Sequence, residues 1–189
     1  MAISSSGYHN QNQVISKIQS ALEGMLTDLN ITGWQVLRSN QPTIQAVQND
    51  SVYYDIVSKR RIGTQGTRSL ITDGDWQDNT IWYEEFLVQV SGFKQRDPDT
   101  DTVNTLSSSD VISLLQGCIN ANGVLDGKNY FGESWIQLIK STSIREIDYE
   151  TDSGLKEKMP QFDFLVVVEQ SLSKAINRVD DIDMNTYRV

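Results

Sequence analysis

The chain has 189 residues, a mass of 21.3 kDa and a formal net charge of −9, with 38% hydrophobic and 22% charged residues. That size suits one domain whose core needs no disulfide or metal staple, and the composition is globular rather than disordered. The acidity, with a pI of about 4.5, argues against gripping a phosphate backbone, although a pore past which DNA slides should not bind it.

Residues 1–9 are small and polar and are expected to be loose. The segment MAISSSGYHN has neither a basic region nor an apolar run, so it does not read as a secretory signal. From Asn10 to Asn30, Val14, Ile15, Ile18, Leu22, Met25, Leu26 and Leu29 recur at spacings of three and four. These spacings predict an amphipathic helix, stopped by Asn30 and Gly33. Its polar face is not basic, which speaks against a membrane surface and for core packing.

Trp34 to Leu37 is a short strand candidate, with a weaker one at Ile44 to Val47. In Ser51 to Ile62, Val52, Tyr54 and Ile56 alternate against Tyr53, Asp55 and Val57, as in a strand. Gly63 to Asp78 reads as a long loop or an extended hairpin tip, with a turn signal at Asp73-Gly74. In IWYEEFLVQVSG (Ile81 to Gly92), Trp82, Phe86, Val88 and Val90 share one face with Glu84, a mixture that suggests a strand reaching beyond the core. Gln95 to Thr105 is an acidic loop. Ser107 with Asp110 three positions on forms a capping-box variant, and Leu106 and Val111 sit where a hydrophobic staple needs them. The helix it opens carries a stripe of Val111, Leu114, Leu115, Cys118 and Ile119 and ends at Asn122-Gly123.

Trp135 to Lys140 starts a strand that can continue to Tyr149, and Asp152-Ser153-Gly154 marks a turn. QFDFLVVVEQ (Gln161 to Gln170) is apolar on both faces in its middle, as a central strand is. Ser171 to Val189 is a polar, acidic tail. The expected fold class is α+β: a mixed, mainly antiparallel sheet of about four to six strands, with two helices packed on one face and an extended hairpin or long loop. The expected organisation is a flexible stretch at 1–9, one domain over 10–176 and a tail or arm at 177–189.

The chemistry-bearing residues are sparse. The only histidine is His9 and the only cysteine is Cys118, on the apolar stripe of a helix, so a nucleophilic triad or a His/Cys zinc site lacks its parts and no intrachain disulfide is possible. Asp97, Asp99 and Asp101 alternate in a loop, but the glycine and closing glutamate of an EF-hand are missing. Asp73, Asp75 and Asp78 form a similar cluster, and both read as solvated turns. Gly63-Thr64-Gln65-Gly66 lacks the ending of a phosphate loop. No enzyme activity, cofactor or metal is expected. Lys59, Arg60 and Arg61, with Arg68 nearby, are the one basic cluster. On a strand, Lys59 and Arg61 share one face and Arg60 takes the other. They read either as a charged edge that discourages stray pairing or as ion-pair partners for an acidic loop on a neighbouring copy. Trp76, among Asp and Gly residues, is the best aromatic candidate for an interface.

The order of VISKIQSALEGML, IWYEEFLVQVSG, DVISLLQGCI and QFDFLVVVEQ resembles that of bacteriophage tail terminator and neck proteins. That resemblance, which spans residues 10–176, implies a virion protein with no catalytic residues, assembled in the host cytoplasm. It implies a ring, typically of six copies, at the head-proximal end of the tail tube. Such a ring stops tube polymerisation and meets the head connector, while DNA passes its lumen; no membrane is involved. The alternatives are a tail tube or head-completion protein and, less favoured, an enzyme that uses carboxylates and a divalent metal. Contacts are then expected from the segments at 63–78, 95–105 and 148–160. The candidate residues are Lys59, Arg60, Arg61, Arg68, Asp75, Trp76, Asp97, Asp99, Asp101, Asp148, Glu150 and Asp152.

Overall fold

The computed structural model describes residues 3–39, 50–70, 76–94, 105–121, 124–125, 128–150 and 156–176. The first predicted helix is α1 (Gln11–Asp28). Asn10 caps it: its Oδ1 accepts from Gln13 N at 3.0 Å, and Gln13 Oε1 accepts from Asn10 N at 2.8 Å. Val14, Ile18, Leu22 and Met25 are fully buried. At the other end Asn30 takes φ 55°, and the N–H groups of Asn30 and Ile31 donate to Thr27 O and Leu26 O. This Schellman arrangement satisfies carbonyls that the helix end would leave open. In α2 (Ser108–Asn120), Asp110 Oδ2 accepts from Ser107 N at 2.9 Å and Ser107 Oγ accepts from Asp110 N at 3.2 Å, the capping box expected from the sequence. Its buried stripe includes Ile112, whereas Leu114 is exposed.

The strands are β1 (Ile3–Gly7), β2 (Gln35–Arg38), β3 (Ser51–Leu70), β4 (Trp76–Phe93), β5 (Val124–Leu125), β6 (Lys128–Asn129), β7 (Ile136–Ser141), β8 (Arg145–Glu150) and β9 (Lys156–Ile176). β5 and β6 make a separate two-stranded ladder. The other seven form one mixed sheet with β9 as its spine. On one side of β9, Gln161–Ile176 pair with β4, followed by β3 and then β2; the other side takes β8, β7 and β1 in succession. All neighbours are antiparallel except β2 with β3. Phe86, Val88 and Val90 of β4 and Phe162, Phe164 and Val166 of β9 are buried on one face. Both helices lie on that face. Tyr54 Oη reaches Gln19 of α1 at 3.2 Å, and a Cβ at Gly92 would sit 2.6 Å from Ile112 of α2.

The α+β class therefore holds, with the sheet one strand wider than expected. The amino terminus was expected to be loose, yet Ile3–Gly7 pairs with Ser171–Lys174. The single strand expected from Trp135 to Tyr149 divides at residues 142–144. There Thr142 Oγ1 accepts from Asp163 N and Thr142 N donates to Asp163 O, so one side chain replaces a ladder position. Within the segment 63–78, residues 63–70 and 76–78 belong to an extended hairpin, since β3 and β4 pair from Ser51 and Phe93 to Leu70 and Trp76. The polar stretch after Ser171 continues β9 as far as Ile176. The strand expected at Ile44 to Val47, the Asp73-Gly74 turn and residues 177–189 lie outside the described residues.

Candidate functional site

Beyond the helix-covered core, β3, β4 and β9 continue together, joined by β1, as a four-stranded arm. Two irregularities shape its base. The pairing of β3 with β4 slips between Ile56 and Ser58 and again between Ile62 and Thr64, where Gly63 has φ 62°. The first bulge reverses the faces of the residues that follow, because strand side chains alternate with period two. Lys59 and Arg61 thereby join the helix-side face of Tyr54, and Arg60 takes the open face. Past Gly63 the open face is mostly polar, with Gln65, Thr67, Asn79, Ser171 and Ser173, while the face of Trp82 mixes Thr64 and Thr80 with Leu172.

A buried polar joint ties this arm to the body. Gln170 is fully buried; its Oε1 accepts from His9 N at 2.7 Å, while its Nε2 donates to His9 O at 2.8 Å and to Glu84 Oε2 at 3.0 Å. Glu84 also accepts from Trp82 Nε1 at 3.4 Å and pairs with Lys59 Nζ at 2.9 Å. Burial alone would raise the Glu84 carboxyl, but the hydrogen bonds from Lys59, Gln170 and Trp82 outweigh it and hold it below the usual carboxylate range. The His9 ring stacks on Trp135 with centroids 4.2 Å apart, which fixes the entry to α1. Sequence reasoning placed His9 in a loose terminus and missed Gln170. The available signal was a polar residue at inward parity on each of two apolar strands, Glu84 and Gln170.

Each basic candidate has a partner within its own chain. Lys59 pairs with Glu84 and lies 5.2 Å from the centre of the Phe86 ring. Arg60 is paired with Glu85 on the opposite face. The Arg61 guanidinium lies 4.6 Å over the Trp82 ring. Arg68 Nε donates to Asp78 Oδ1 at 2.7 Å and its Nη2 to Oδ2 at 3.3 Å. This forked bond holds the Asp78 carboxyl below its ordinary range. Trp76, expected in a loop, is the first residue of β4 and pairs with Leu70 and Ile176. Asp148 and Glu150, also expected in a contact loop, stand on β8 opposite Lys158 and Lys156 of β9. Asp75, Asp97, Asp99, Asp101 and Asp152 lie outside the described residues.

An open cleft of about 560 Å³ runs beside α1, lined by His9, Gln13, Ser16, Lys17, Glu133 and Trp135 among others. Glu133 accepts from Lys17 Nζ and from Trp135 Nε1, both at 2.6 Å, which pulls its carboxyl below the ordinary range. The cleft's charged groups are thus engaged with one another. Among the described residues no three His, Cys, Asp or Glu side chains converge as metal ligands, and Cys118 is buried, which pushes its thiol pKa up. No described helix is long and apolar enough to cross a membrane. The arrangement that stands out is a packed body with an arm tied to it by a buried polar joint.

A search of curated proteins finds no match to the chain. The profile of one protein family, described as the E217 gateway protein gp29, matches residues 13–178. The match covers both helices and extends through β9, and it agrees with the head–tail neck resemblance in the sequence. The chain belongs to the E217 gateway protein gp29 family, a family of phage head–tail structural proteins.

Proposed function

We propose that this chain forms a closed ring of six copies at the head-proximal end of the phage tail. The ring ends polymerisation of the tail tube and joins the tail to the head connector, and DNA passes through its lumen without specific binding. The protein's partners are further copies of itself, the tail tube protein and the connector. Its work is structural, within the virion neck. The observation that carries this reading is the arm. It extends past the helix-covered core with one face mostly polar, so it has little core of its own, and assembly with neighbours is what gives it a use. The net charge of −9 suits a lumen that repels phosphate and does not hold DNA back.

Electron microscopy and native mass spectrometry of the purified chain, alone and with its tail tube protein, test this. The expected result is a single closed ring that stops at one layer. Long tubes formed by the chain alone would make it a tube subunit instead. A chain that stays monomeric even with the tube protein refutes the ring.

A further inference from the structure

Among the described residues the arm has two open edges. β2 covers β3 only at Ser51–Tyr54, so from Val57 to Ser69 no described strand lies beside the outer edge of β3. At about 3.3 Å per residue that is roughly 40 Å of backbone donors and acceptors turned sideways. Natural edges of such length are usually blunted by proline, by unpaired charge or by a covering element. β3 contains no proline. The charges of Lys59, Arg60 and Arg68 are neutralised across the strand by Glu84, Glu85 and Asp78, so they protect the edge poorly.

The other open edge of the same sheet is formed by β7 and β1, and the two edges are level. Tracing the register across the sheet, Arg60 aligns with Glu85, Val167 and Gln137 of β7, and Thr67 aligns with Asn79, Ser173 and Ser4 of β1. β1 and β7 run antiparallel to β9, and β9 runs parallel to β3 through two antiparallel steps, so β1 and β7 are antiparallel to β3. Rotation about a ring axis preserves up and down. A neighbouring copy therefore presents its β1 and β7 edge to this β3 in the antiparallel sense, the more stable form of strand pairing.

We propose that the Val57–Ser69 edge of β3 is the joining surface for a second copy of this chain, whose β7 and β1 extend the sheet from one subunit into the next. The contact is heterologous and repeats around the ring. It makes the arms one continuous belt, held by backbone hydrogen bonds. The inference rests on the ring reading and adds to it which strands meet.

Paired cysteines test it. Within one chain Thr67 and Ser4 are separated by three strand spacings, about 14 Å, twice the roughly 7 Å that a disulfide spans between Cα atoms. In a Cys118→Ala background, Ser4→Cys combined in turn with Gln65→Cys, Thr67→Cys or Ser69→Cys covers one register slip in each direction. Ser58→Cys with Lys140→Cys probes the β7 part. At least one pair is expected to oxidise to covalent trimers and larger species that collapse on reduction, while each single-cysteine control stops at dimers. A ring seen by native mass spectrometry in which no pair exceeds its single-cysteine controls overturns the edge junction and leaves the ring standing. A chain that is monomeric at every concentration overturns both.

Discussion

The joint at Gln170 gives the most direct test of how arm and body are held together. Replacing Gln170 with Leu keeps a side chain of similar volume but deletes three hydrogen bonds: two with the backbone of His9 and one to Glu84. Neutral bonds contribute about 1 kcal/mol each and a bond to an ionised carboxylate about 1.5–3 kcal/mol, so the gross loss is near 4 kcal/mol. His9 is half-buried, so water can take up part of its backbone need, while Glu84 keeps Lys59. The expected destabilisation is therefore about 2–4 kcal/mol. Urea unfolding followed by tryptophan fluorescence measures it. Hydrogen exchange of residues 3–10 should accelerate beyond the global change, because the clasp on His9 is what holds β1 beside β9. Leu172→Gln, two residues along on an exposed position, should shift stability by less than about 0.5 kcal/mol. A Gln170→Leu protein within about 1 kcal/mol of the parent, with unchanged exchange at residues 3–10, would show that the joint is incidental.

Four further outcomes follow from the structure. The folded Glu84 carboxyl lies below its ordinary value, so its stabilisation is complete above the unfolded pKa of about 4.3 and is lost as pH falls through the lower folded value. Urea midpoints should show Glu84→Gln weaker than the parent at pH 6, with the gap narrowing at pH 3; a gap independent of pH contradicts this. Gly92→Ala places a Cβ 2.6 Å from Ile112 Cγ1 and 3.3 Å from Ser108 O, an overpacking cost of about 1–3 kcal/mol that a second change, Ile112→Ala, should partly relieve. Gly63→Ala meets no atom within 4 Å; its cost of about 1–2 kcal/mol comes from φ 62° alone, and Gly63→Asn should recover part of it. Phe164→Ala, at the centre of the helix-covered face, should cost about 3–5 kcal/mol in the same assay.

Local features were legible in the sequence. The capping box of Ser107 and Asp110 forms as its spacing requires, because the bonded groups are three residues apart and the helix itself brings them together. The stripe of α1 follows from its period, and among its predicted apolar positions Leu29 alone falls outside the buried core. In α2 the stripe read from the sequence took Leu114 and left out Ile112, and the structure reverses the two. The sheet lies on the Ile112 side, where Gly92 leaves room for it. For the candidate site, the alternation of Lys59, Arg60 and Arg61 was readable, but the partners they meet, Glu84, Glu85 and the Trp82 ring, were not.

The amino-acid sequence by itself determined the helices, their caps and the alternation within each strand, since these depend on residues a few positions apart. Which strands lie side by side was decided only by the tertiary structure. The bulge at Val57 turns Lys59 and Arg61 to the helix side, and it exists only because β3 pairs with β4 in one register. Gln170 clasps His9 across a separation of 161 residues, which no local pattern encodes. The open edge of β3 likewise appears only once β2 is seen to stop at Arg38. Backbone hydrogen bonding is the same for every residue but proline, so the side chains that set local structure leave strand partners to be fixed by burial of the shared core.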